Sequence, residues 1–234
     1  MTVVLAVRCE DGIVLGADSQ VTESDRGMSY PASKLHPLGD GAAWGGSGAR
    51  SVLFDLEKQF DAEADEIVGS REVGRALQER IVPVLRHHYA NFIPEIPGEQ
   101  LEGTPSAYVL AAGYSHGEPF IVKIDPSGIV GRYEEVGFHA IGSGAPMAQQ
   151  AGALLAHFRM TERDVDYGII AVVRVLDALS TSQPMVGGPL SVVRITADGA
   201  RHLEDDDIAA ARDHVARWEE AERSALDGLF DGDP

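Results

Sequence analysis

Thr2 is the residue from which a chemistry can first be argued. Once the initiator methionine is removed, its hydroxyl and its α-amine sit on one residue at the head of a strand-forming run, Thr2-Val3-Val4-Leu5-Ala6-Val7-Arg8-Cys9. An α-amino group titrates at about 7.7–8.0, so near neutral pH part of it is unprotonated and can take the hydroxyl proton directly or through one water. A small second residue permits methionine removal, so no propeptide is needed to expose this nucleophile. Threonine is common at a second position, and the chemistry needs partners. Two follow in order: Asp18, at the end of the next apolar run, and Lys34, at the start of a later one. An ammonium beside the threonine lowers the pKa of its amine and hydroxyl, and a carboxylate beside that lysine holds it charged and oriented. The chain carries only three lysines (Lys34, Lys58 and Lys123) against sixteen arginines, which favours a role for Lys34 as a compact cation of adjustable pKa. The plainer readings are a strand-end turn for Asp18 and a surface charge for Lys34.

The elements that must position these residues follow from periodicity. Residues 2–9 and 13–18 are β-branched runs around Glu10-Asp11-Gly12, a hairpin signal. A looser stretch from Ser19 to Pro31 leads to short strands at Lys34-Leu35-His36 and Ala42-Ala43-Trp44, with Gly39-Asp40-Gly41 as the turn between them. Leu53, Leu56, Phe60, Ala64 and Ile67 then fall at helical spacing, and Val73, Leu77, Ile81 and Val84 make a second stripe that Pro83 should kink or interrupt. Strand character returns at residues 107–114, 119–124 and 128–133. Gly142-Ser143-Gly144 opens a helix through Leu155, residues 164–179 form a nearly uniformly apolar helix, and residues 190–196 a last strand. Blocks of strands alternating with blocks of helices predict an α+β fold of antiparallel sheets covered by helices, not a doubly wound parallel sheet.

The acidic residues number 37 and the basic ones 19, a formal charge of −18, which repels a phosphate backbone and anionic lipid. Nucleic-acid and membrane partners are therefore not expected. The charge is unevenly placed: the stretch from Glu204 to Pro234 holds eleven acidic and three basic side chains. We read two regions, a domain over residues 1–203 and an acidic helical extension over residues 204–234. In the extension Ile208, Ala211, Val215, Trp218 and Leu229 share one helical face. The single cysteine, Cys9, excludes an intrachain disulfide, and no signal peptide or long apolar run stands out, so a cytoplasmic location is expected. His87 and His88 are adjacent and do not share a helical face, which speaks against a metal site, and no phosphate-binding Gly-rich loop ends in Lys-Ser or Lys-Thr. No metal or other cofactor is expected.

Taken together, Thr2-Val3-Val4, Asp11-Gly12-Ile13-Val14-Leu15-Gly16-Ala17-Asp18, Ser33-Lys34-Leu35-His36, Ser47-Gly48-Ala49 and Ile141-Gly142-Ser143-Gly144-Ala145-Pro146 resemble the proteasome β-subunit and HslV-type peptidase family. The motifs keep register without obvious insertion from Thr2 to Gly48, and the resemblance covers roughly residues 2–197. It implies a four-layer αββα sandwich, the N-terminal nucleophile hydrolase fold. It further implies Thr2 as nucleophile with its own amine as base, Lys34 tuning both, Asp18 orienting Lys34, Ser143 beside the amine, and the Gly48 backbone N–H as oxyanion donor. Val21, Ala32, Gly46 and Arg50 fall near positions lining the first specificity pocket, with Gly46 leaving it deep and Arg50 favouring acidic side chains.

The chain departs from the family pattern where an aspartate usually follows the last long helix. Asp177 falls too early, inside the helix, and Ser182 or Gln183 stands nearer the usual place. The acidic extension is a second departure, and a retained Met1 would block the amine. The function expected is a threonine-type endopeptidase acting on polypeptides within a homo-oligomeric ring, with an ATP-dependent unfoldase as a possible partner. The alternatives are a non-catalytic structural subunit of the same fold and a small-molecule amidase or acyltransferase.

Overall fold

The computed structural model describes residues 2–23, 28–94, 103–183 and 186–229. Six strands come first: β1 (Val4–Arg8), β2 (Gly12–Ala17), β3 (Gln20–Glu23), β4 (Met28–Pro31), β5 (Leu35–Pro37) and β6 (Ala42–Gly48). Helices α1 (Arg50–Val68) and α2 (Val73–Ala90) precede β7 (Ala107–Ser115), β8 (Glu118–Ile124), β9 (Val130–Arg132) and β10 (Phe138–Ile141). The chain continues through α3 (Ala145–Ala156), a 3-10 turn at Met160–Glu162, α4 (Val165–Ser182), β11 (Ser191–Thr196), β12 (Gly199–His202) and α5 (Asp205–Asp227).

The strands form two five-stranded antiparallel sheets, ordered β10-β1-β2-β11-β12 and β5-β6-β7-β8-β9, with β3 and β4 as a separate ribbon. The long apolar run of β1 is explained by burial on both faces. Leu5 and Val7 join the cluster containing Val172, Leu176 and Ala148 of α4 and α3, whereas Val4 and Ala6 join Leu35, Leu110 and Ile121 of the other sheet. The far face of that second sheet packs Trp44, Val109 and Val122 against Leu56, Phe60, Leu77 and Ile81 of α1 and α2. The layers are thus helices, sheet, sheet, helices, and α5 lies outside on α4 with Ile208, Ala211 and Val215 buried in the first cluster.

Several local expectations change. The first four strands predicted from sequence divide between the two sheets, β1 and β2 in one, β5 and β6 in the other, an assignment that the local pattern leaves open. Helix α2 runs through Pro83 without interruption, because Val73, Leu77, Ile81 and Leu85 anchor the opposite face in the core. Pro83 and Glu79, whose carbonyl loses its amide donor, are both exposed, so water can satisfy that group. The loose stretch after Ser19 contains the ribbon β3–β4, and β10 and β12 are four-residue edge strands too short to register as patterns.

Candidate active site

Thr2 stands just before β1 and is tied to the loop between β10 and α3. Its backbone N donates to Ser143 Oγ at 3.1 Å, and its carbonyl accepts from Gly144 N at 3.1 Å. Gly142 makes that approach possible: its φ is +94°, and a Cβ there would stand 2.2 Å from the Thr2 carbonyl oxygen.

Asp18 and Lys34 lie behind Thr2 as a buried pair, with side-chain exposures of 0% and 7%. Asp18 Oδ1 accepts from Lys34 Nζ at 2.8 Å and from Val3 N at 2.9 Å, while Oδ2 accepts from Gly187 N at 3.4 Å. One carboxylate therefore holds both the lysine and the first strand residue after the threonine. Lys34 Nζ also donates to the Gln20 carbonyl at 2.7 Å. An ammonium has three donors, and among the described residues two are taken, which leaves the third for the cavity that Lys34 lines with Thr2. Burial pulls the Lys34 pKa below its ordinary value, and the hydrogen bond and charge of Asp18 work against that pull.

Gly48 ends β6 at φ +131°, where a Cβ would meet the Ser106 carbonyl oxygen at 2.1 Å, so only glycine fits. Thr2, Lys34, Gly48 and Ser143 open on one cavity of about 440 Å³. Val21, Ala32, Gly46 and Arg50 line the same cavity. Asp18 is sealed behind Lys34. The expectation of a deep pocket at Gly46 does not hold, because a Cβ there would sit 2.3 Å from Leu53 Cδ2: the leucine occupies the space that the missing side chain leaves. Arg50 Nη1 donates to Tyr30 Oη, and its guanidinium lies 5.6 Å from the Tyr30 ring centroid.

The cavity also contains residues whose sequence patterns did not point to it. On α1, Leu53, Phe54 and Glu57 follow Arg50 at the spacing of one helical face, a signal that in the sequence reads only as core packing. Across β5 and β6, His36 pairs with Trp44 and stacks on it at 4.8 Å and 24°. His36 Nδ1 lies 2.9 Å from Glu57 Oε1. The end of α4 sends no carboxylate to Ser143 among the described residues. Asp177 is held by Arg212 of α5 through two contacts of 2.9 Å, Ser182 Oγ donates to the Ala178 carbonyl at 3.0 Å, and Gln183 Nε2 donates to Met147 Sδ at 2.9 Å.

Among the described residues no helix is long and apolar enough to cross a membrane. A family model described as proteasome subunit matches residues 2–195. The chain is 27% identical over 223 residues to a proteasome subunit beta 1 of Streptomyces avermitilis, covering 88% of this chain and 73% of that protein. It is 29% identical over 203 residues to a proteasome subunit beta 1 of Thermococcus gammatolerans, covering 87% and 93%. Among solved structures, an Anbu (Gly-1) mutant from Hyphomicrobium sp. strain MC1 superposes with a TM-score of 0.72 at 16% identity, covering 98% of this chain and 99% of that one. Anbu, described as an ancestral beta-subunit, from Yersinia bercovieri superposes with a TM-score of 0.72 at 15% identity, covering 99% and 98%. These two likenesses carry the fold alone, a sandwich of two antiparallel sheets between helical layers.

Proposed function

The chain belongs to the proteasome subunit family, and from that premise we propose that it is a threonine-type endopeptidase whose nucleophile is Thr2, freed by removal of Met1. Met1 lies outside the described residues. The observation that carries this reading is the buried Lys34–Asp18 pair, bonded through one carboxylate oxygen to the Val3 amide next to Thr2, on the cavity that Thr2, Gly48 and Ser143 share.

In the proposed reaction Thr2 Oγ1 attacks the carbonyl carbon of the scissile peptide bond, and its proton passes to the α-amine of the same residue. Lys34 keeps that amine and hydroxyl in the right pKa range by its charge, and Ser143 Oγ orients the amine. The oxyanion of the tetrahedral intermediate binds the backbone N–H of Gly48. Collapse breaks the C–N bond, the ammonium returns the proton to the leaving amine, and an ester to Thr2 remains. Water then attacks that ester with the amine as base, releasing the acid and restoring Thr2. Ring assembly of identical subunits, a cytoplasmic setting, polypeptide substrates and feeding by an ATP-dependent unfoldase belong to the same proposal.

A second reading, a non-catalytic ring subunit, has one observation in its favour: the hydrogen-bond network behind Ser143 lacks a carboxylate from the end of α4 among the described residues. Intact mass of the purified chain before and after a threonine-directed covalent inhibitor separates the two. A Met-free chain that gains one inhibitor mass, with no gain for Thr2→Ala, is the expected result. Persistence of Met1, or no adduct on a Met-free chain, favours the structural subunit.

A further inference from the structure

We infer that the cavity beside Thr2 selects a basic side chain, lysine or arginine, on the residue whose carbonyl is attacked, and that Glu57 is the specificity-determining residue. This inference rests on the peptidase reading above. The chemistry comes from how the charges lining the cavity are already committed. Lys34 is bound to Asp18 and to the Gln20 carbonyl, and Arg50 is turned to Tyr30 by a hydrogen bond and by its ring. Glu57 is the only carboxylate among the described residues that line the cavity. Its Oε1 faces His36 Nδ1 at 2.9 Å, whereas Oε2 has no partner among the described residues. A carboxylate has room for about four hydrogen bonds, so Oε2 can accept from an ammonium or guanidinium without displacing His36.

The geometry also sets the length of the favoured side chain. Glu57 lies seven residues beyond Arg50 along α1, about 10 Å at the helical rise, while Gly48 and Thr2 sit near the start of that helix. A short side chain does not span that distance. The walls between are Leu53, which fills the space at Gly46, and the buried Trp44, so a long aliphatic stem is covered while its charged end reaches the carboxylate. The partners of Glu57 fix its position, since His36 is clamped by stacking on Trp44, and Trp44 packs edge-on to Phe60 at 5.0 Å. An acidic substrate side chain would meet the Glu57 charge and be repelled. The expectation from sequence that Arg50 favours acidic side chains is the competing reading, and the two probes below separate it from this one.

The test uses two peptidyl vinyl sulfones that differ only in arginine or glutamate next to the warhead, reacted with the purified full-length chain. Labelling is an addition to the Thr2 nucleophile, so the adduct weighs chain plus probe, and its rate is read by intact mass. The arginine probe should label at least about tenfold faster, the scale of one charge-assisted hydrogen bond. Glu57→Gln should bring the ratio down to within about threefold, and Glu57→Lys should reverse it. Equal labelling by both probes, faster labelling by the glutamate probe, or an unchanged ratio in Glu57→Gln overturns the inference while leaving Thr2 as nucleophile. Labelling by neither probe of a Met-free chain overturns the peptidase reading, and the inference with it.

Discussion

At the scale of single residues, the site is organised around one carboxylate. Asp18 Oδ1 receives both Lys34 Nζ and Val3 N, so the Lys34 charge and the chain segment that leads from Thr2 into β1 are fixed by the same atom. Removing Lys34 leaves that carboxylate buried with only backbone amides. Lys34→Met should therefore lower unfolding free energy by about 3–5 kcal/mol, the usual cost of breaking a buried pair from one side, as measured by urea denaturation. Any peptidase turnover should fall by about 10²–10³-fold in the same variant, as when one preorganised electrostatic group is lost. Asp18→Asn keeps an oxygen for Lys34 Nζ and Val3 N but turns an NH2 toward the Gly187 amide and leaves the Lys34 ammonium without a countercharge, so its stability loss should be of the same size. A Lys34→Met variant as stable as the parent would remove the pair from the account. The residue types and their order were legible in the sequence, as a threonine, an aspartate and a rare lysine on successive runs. Glu57 and His36 were not, because their roles depend on a cavity between α1 and two strands that local patterns do not describe.

At the scale of elements, the edge strand β10 carries a titratable group in an apolar setting. His139 is buried, stacks on Tyr133 with ring centroids 3.5 Å apart, and has its pKa pushed down from 6.5 to about 4, first by burial and then by the charge of Lys123. The unfolded chain takes up a proton near pH 6.5 that the folded chain refuses until about pH 4, so His139 withdraws stability as pH falls through that window and contributes no slope above it. His139→Phe keeps a ring against Tyr133 and cannot titrate. Its unfolding free energy should drop less between pH 6.5 and pH 4 than that of the parent chain, in denaturant titrations across that range. Equal slopes would place the histidine elsewhere than in this stack. The strand itself escaped sequence pattern because four residues paired along β1 give too little periodicity. β1 was plain, since its run of apolar and β-branched residues reflects a strand with helices on one face and a second sheet on the other.

At the scale of the whole molecule, a helix that carries eight of the chain's 37 acidic residues is also part of its core. Helix α5 starts with Asp205, Asp206 and Asp207, whose charges suit a helix N-terminus, and Ile208, Ala211 and Val215 reach the cluster under β1. Arg174 of α4 binds Glu222 of α5 through contacts of 3.0 and 2.6 Å and lies 4.1 Å from the Trp218 ring centroid. Deleting residues 204–234 strips that packing from α4 and should cost several kcal/mol of stability, on the scale of losing two or three buried apolar side chains. Arg174→Ala removes only the partly exposed ion pair and ring contact and should cost about 1–2 kcal/mol. Thermal melts that order the two variants the other way would mean that α5 is held chiefly by charge.

The sequence by itself determined the two-sided apolar strands and the helical stripes, which depend on neighbours two to seven positions apart, and the residue types on which an N-terminal threonine chemistry can be built, which are read directly. Only the tertiary structure decided which strands share a sheet, that Pro83 is absorbed by a helix anchored on its other face, and that Leu53 fills the space at Gly46. It also decided that Arg50 turns to Tyr30 while Glu57 faces the cavity. These outcomes depend on contacts between segments far apart in the chain, where the same side chain satisfies local pattern equally well in several packings and long-range burial selects one.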